Sequence, residues 1–174
     1  MPQSSPGALP LARKVLRALV VLNVGYGLAI FALLASSLIA PDAVFAALGV
    51  RPTADDSWRL VAMRLIMVVG IASVPIAHLI LKRLQAIIET VRAGDPFVTG
   101  NAARLETIAW AVLGLQLLHL VVGAIAGSAS TDAQPLDIDW SFSFTPWIAV
   151  LLLFVLARVF DHGTRMRADL EGTV

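Results

Sequence analysis

Four long apolar runs, Ala18 to Ala40, Leu60 to Leu81, Ile108 to Gly127 and Thr145 to Phe160, alternate with shorter polar segments along the chain. Apolar runs of roughly 20 residues without strict alternation predict helices that cross a membrane. The last run is the shortest. As a helix it covers about 24 Å, less than the roughly 30 Å of bilayer hydrocarbon, so it must draw length from its neighbours. Pro146 suits a first helical position, and Trp147 and Arg158 fit as interfacial anchors at opposite ends of this span. The spans are expected near residues 15–40, 60–81, 105–127 and 145–160, within a single membrane domain over 13–174. A disordered cytoplasmic lead is expected over 1–12 and a short polar cytoplasmic tail over 161–174. The first run is longer than the core of a cleavable signal and predicts an uncut first span.

A second period appears between the last two runs. From Leu136 to Thr145 every even position is apolar and every odd one polar, which is a strand pattern. Such a segment either pairs with another chain segment, with a second copy or with a partner by strand addition, or lies extended on the membrane surface through Trp140, Phe142 and Phe144. Pro41 at the start and Gly49 past the end of a short apolar stretch predict an interfacial helix in the preceding outer loop, covering the mouth of the bundle. The expected fold class is an all-α integral membrane protein: a four-transmembrane-helix bundle with a short extended segment in its second outer loop.

Composition agrees and adds exclusions. Of the 174 residues, 58% are hydrophobic and 14% charged, against about 25% charged in a typical soluble domain. The net charge of +1 gives no global field toward nucleic acid, which is not expected as a partner. The absence of cysteine removes disulfides, thiolate metal sites and thiol nucleophiles. Placement of charge is more informative than its sum. With the runs taken as spans, ten of the 13 Lys and Arg fall on one side, among them Arg13, Lys14, Arg17, Lys82 and Arg83, and three on the other. By the positive-inside rule both termini face the cytoplasm.

Polar residues inside the spans form a candidate intramembrane seam. Arg64 lies about one turn inside the outer boundary of the second span, on the same helical face as Ile71, Pro75, His78 and Lys82. Pro75 has no amide hydrogen to offer the carbonyl of Ile71. In the third span Gln116 and His119 lie one turn apart with Gly123 on their stripe, opposite Leu113, Leu117 and Val121. Arg64 and His119 are thus expected in the same outer half, with His78 near the inner boundary beside Asn23. The seam carries a proton, a solute or a lipid headgroup in one reading. In the other it is helix-to-helix hydrogen bonding, with Asp55 or Asp56 closing a pair with Arg64. Small residues at Gly25, Ala29, Ala32 and Ser36, and at Gly123 and Gly127, serve either packing within one bundle or a homo-oligomer.

On the cytoplasmic side, Gly94-Asp95-Pro96-Phe97 predicts a turn, with Thr99 or Asn101 capping the next helix. Phe97 then either docks under the bundle or inserts at the interface. Asp161-His162-Gly163 predicts a helix end with Gly163 as its left-handed cap. Neither segment holds a nucleophile with its base, a phosphate-cradling glycine loop or a metal-spaced histidine pair. No catalytic, cofactor or metal residue is assigned, and the chain is read as non-enzymatic.

These two segments carry a family resemblance. Gly94-Asp95-Pro96-Phe97 with Asn101 and Leu105, and Ala157-Arg158-Val159-Phe160 with Gly163, Met166 and Asp169-Leu170-Glu171-Gly172-Thr173-Val174, resemble the bacterial membrane proteins grouped as domain-of-unknown-function family 2975. Met166 stands where members usually carry Leu, and Ala168 where an acidic residue is common. The resemblance implies a four-helix membrane protein, often encoded beside a small helix-turn-helix regulator. The expected partners are the lipid bilayer, a second copy of the chain and a soluble cytoplasmic regulator that docks on Gly94, Asp95, Pro96, Phe97, Asn101, Phe160 and Gly163. A small transporter or channel subunit built around the polar seam is the alternative.

Overall fold

The computed structural model describes residues 8–49, 57–130 and 143–171. Five helices make up the described residues, with no strand among them: α1 (Ala8–Ile39), α2 (Pro41–Ala47), α3 (Ser57–Arg92), α4 (Thr99–Ala129) and α5 (Thr145–Glu171). Four of them, α1, α3, α4 and α5, are long and apolar enough to cross a membrane, the make-up of a multi-pass membrane protein. The alternating segment expected to be extended lies outside the described residues over 136–142, and Thr145 at its end already opens α5. Asp55 and Asp56 also lie outside them.

Every long helix outruns the apolar run that predicts it. α1 begins at Ala8, inside the stretch expected to be disordered, so residues 8–12 are helical instead. The largest departure is α5. Its 27 residues give about 40 Å of helix, so the short fourth run gains its length at the C-terminal end. Gly163 is therefore not a left-handed cap. It is helical, and the positive-φ glycines among the described residues are Gly49 and Gly94. Gly49, at φ 78°, does follow α2 as its start and stop signals predict, with its amide bonded to the carbonyl of Ala46.

Much of the surface is apolar, and alanines are prominent among the buried positions. Val21, Leu28, Ile39 and Leu151 are exposed, while Ala62, Ala109, Ala126 and Ala157 are buried. In water such a surface is an aggregation hazard. In lipid, burying a leucine against a helix gains little over burying it against acyl chains, so close approach at small residues decides which faces meet.

Packing divides the chain into two units. The first takes residues 8–22, 76–114 and 143–171, where the Trp110 and Phe154 rings meet edge to face at 5.1 Å between α4 and α5. The second takes 23–49, 57–75 and 115–130. There α1 and α3 approach through glycines: a Cβ on Gly27 would lie 3.1 Å from both γ carbons of Val74, and one on Gly70 would lie 3.1 Å from Ile30 Cδ1. Gly25, the glycine of the small-residue series in α1, faces open space, as does Gly127, whereas Gly123 is buried. α3 continues through Pro75, and Asn23 donates from Nδ2 to the carbonyl of Val74 at 3.0 Å. A neighbouring helix thereby supplies a donor beside the proline, as membrane helices require.

Candidate functional site

The turn between α3 and α4 and the C-terminal half of α5 meet in the first unit. α3 ends in a Schellman motif. Gly94, at φ 83°, donates its amide to the carbonyl of Val91, and Asp95 donates to that of Thr90. Only glycine adopts this backbone without strain, which fixes the site of the reversal.

Asn101 holds the turn shut. It is fully buried in the first turn of α4, and its Nδ2 donates to the Thr90 hydroxyl at 2.7 Å and to the Pro96 carbonyl at 2.8 Å. Its Oδ1 accepts from Arg104 at 2.7 Å, and the Thr90 hydroxyl donates its own hydrogen bond to the carbonyl of Ile87. Asn101 is thus no helix cap. It fastens the end of α3, the turn and the start of α4 through one amide whose donors and acceptor are all engaged.

Phe97 projects from this turn onto α5. Its ring centroid lies 5.3 Å from that of Phe160, and a Cβ on Gly163 would come within 3.3 Å of its edge. The second glycine of the pair of motifs is therefore used for ring clearance. Arg167 closes the contact from α5 by an ion pair with Asp95. Part of the Phe97 ring stays exposed, and with Phe154, Val159 and Met166 it lines an open groove of about 760 Å³ edged by Arg158 and His162. The two motifs named by the sequence, Gly94, Asp95, Pro96, Phe97 and Asn101 with Phe160 and Gly163, therefore form one built cluster. Thr90, Arg104 and Arg167 complete it, and sequence reasoning missed all three. No local pattern pairs Thr90 with Asn101 across eleven residues and a turn, or Asp95 with Arg167 across two helices.

Of the polar residues of the spans, His78 belongs to the first unit, and Arg64, Gln116 and His119 to the second. Among the described residues no hydrogen bond joins any two of the three in the second unit. Arg64 donates from Nη2 to the carbonyl of Ser37 at 2.7 Å and sits 5.9 Å over the ring of the fully buried Phe45, joining α3 to the end of α1 and to α2. His119 lines a cavity of about 320 Å³ with Tyr26 and Ser73, otherwise walled largely by aliphatic side chains. Among the described residues no group of three metal-ligating side chains is gathered.

The family model described as "Protein of unknown function (DUF2975)" matches residues 19–174, through both motifs and all four long helices. The chain belongs to this family. Neither among curated proteins nor among solved structures does any match reach significance. The match begins well before the two motifs that carry the resemblance, and membership brings no activity with it.

Proposed function

We propose that this DUF2975 member is a non-enzymatic protein of a bacterial inner membrane, with both termini in the cytoplasm, whose α3–α4 turn and α5 end hold a soluble regulatory protein. The observation that carries the reading is the joining of two sequence-distant motifs into one cluster, with Phe97 seated on Gly163 and Asp95 tied to Arg167. A turn held by a fully bonded buried asparagine presents its neighbours in one geometry, so a partner meets a preordered surface and less ordering entropy opposes binding. Phe97 and Met166 remain exposed there beside Arg158 and His162, an apolar patch with a polar rim of the kind protein interfaces use. The lopsided distribution of Lys and Arg supports the orientation.

Photocrosslinkers placed at Met166 and at Val159 in living cells test the proposal. The expected result is an adduct with a soluble protein, stronger from Met166. Adducts with lipid alone from both positions would overturn it. Fluorescent-protein and alkaline-phosphatase fusions at the C-terminus read the orientation independently, and an active phosphatase there would reverse it.

The second reading is a small transporter or channel subunit, favoured by the cavity that places His119 with Tyr26 and Ser73. It requires solute flux in liposomes that falls on His119→Ala substitution.

A further inference from the structure

The hydropathy boundaries of two helices coincide at a cationic cleft. Arg17 directly precedes the apolar run of α1, and Lys82 directly follows that of α3. The fold places both on one cleft of about 300 Å³ in the first unit, together with Arg13, Gln85 and Glu89, over the buried Leu16. Since each helix changes from apolar to charged at this level, the cleft sits where hydrocarbon gives way to headgroups.

The charges of the cleft are unequally matched. Its single carboxylate, Glu89, is already ion-paired with Arg13, Nε to Oε1 at 3.1 Å, and accepts a hydrogen bond from Arg92 Nη1 at 2.9 Å. Arg17 and Lys82 make no hydrogen bond or ion pair among the described residues. Three cations thus face one carboxylate that is itself doubly engaged, which leaves the cleft short of negative charge. A tetrahedral anion with several acceptor oxygens supplies that need, because a guanidinium fork and an ammonium engage different oxygens of one phosphate. Val15 and Leu19, exposed one helical turn apart on α1 beside the cleft level, offer apolar surface toward the bilayer for a chain attached to such a group.

We propose that the α1–α3 cleft binds a phosphate group, with Arg17 and Lys82 as its direct ligands and Arg13 held in place by Glu89. An anionic phospholipid headgroup and a free phosphate share this chemistry, and the basic pocket at the membrane surface is suited to both. The site is separate from the cluster of Phe97 and α5 and does not depend on the docking reading.

Native mass spectrometry of the full chain released from nanodiscs of equal phosphatidylglycerol and phosphatidylcholine tests it. The wild-type protein should retain phosphatidylglycerol preferentially. The Arg17→Gln, Lys82→Gln double variant should lose about tenfold or more of that preference, while Arg83→Gln, Arg165→Gln, with the same change in net charge and outside the cleft lining, should keep it. Displacement of the retained lipid by millimolar inorganic phosphate would support the site and assign it to the free anion; retention through that challenge would support it and assign it to lipid. No lipid preference in the wild-type protein together with no binding of inorganic phosphate would overturn the proposal even if the double variant did not fold. Equal loss in both double variants would overturn it as well, by reducing it to diffuse attraction.

Discussion

Gly163 lies beneath the ring of Phe97, so close that a Cβ at 163 would stand 3.3 Å from Cδ1 and Cε1 of that ring. The contact joins a turn after α3 to the middle of a helix 66 positions later. A methyl group there requires the ring to shift by a few tenths of an ångström, which a ring 43% exposed can do. Alanine also gains up to about 1 kcal/mol of helix propensity over glycine. Gly163→Ala is therefore expected to stay near wild-type stability, whereas Gly163→Leu evicts the ring. Limited proteolysis at the 94–98 turn checks both: the leucine variant should be cut faster and the alanine variant at the wild-type rate.

Asn101 is the residue of the turn least tolerant of change. Its truncation leaves the Pro96 carbonyl short of a partner and opens a gap in a fully buried site. Asn101→Ala is expected to cost about 2 kcal/mol, seen as a lower thermal midpoint in detergent. Thr90→Val should lose less, because Asn101 keeps its bond to Pro96. A midpoint for Asn101→Ala equal to that of the wild type would remove the latch.

The ion pair of Asp95 with Arg167 has 40% and 48% of its side chains exposed, so solvent screens it. Arg167→Ala should change stability by less than about 1 kcal/mol. Its expected effect is local: faster amide exchange over 94–98, recovered in part by the exchanged pair Asp95→Arg, Arg167→Asp.

Arg64 and Phe45 make the corresponding junction of the second unit. Phe45→Ala removes a fully buried ring, with an expected cost of about 3 kcal/mol or more. Arg64→Met leaves the ring but removes the donor to the Ser37 carbonyl, and amide exchange over 41–47 should rise. If exchange there is unchanged in Arg64→Met, the arginine does not anchor α2.

Gly27 and Gly70 set how near α1 and α3 approach. Gly27→Leu should lower the thermal midpoint clearly, since both γ carbons of Val74 stand 3.1 Å from the added atom. Gly25→Leu, facing open space, should be close to neutral. Equal effects at the two sites would contradict the contact.

Number and kind of helices follow from the sequence because each membrane helix satisfies its own backbone and advertises itself by an apolar run of sufficient length. The turn at Gly94 and the stop at Gly49 were also legible, since a positive φ is a local demand that glycine alone meets cheaply. The extent of α5 was not. A glycine flanked by polar residues reads as a helix end, and only the Phe97 ring lying against it shows that a glycine stands there for clearance inside a continuing helix. The same holds for Asn101, whose partners at Thr90 and Pro96 become neighbours when the chain reverses. It holds for the polar seam too, where spacing along a helix places Arg64 and His119 at similar depth but does not say which carbonyl or cavity each one faces. By itself the sequence determined the apolar spans, the charge asymmetry and the two motifs, because these are properties of single segments. Only the tertiary structure decided that the two motifs form one cluster and that Arg17 and Lys82 share a cleft, because such pairings depend on which small residues let the helices approach.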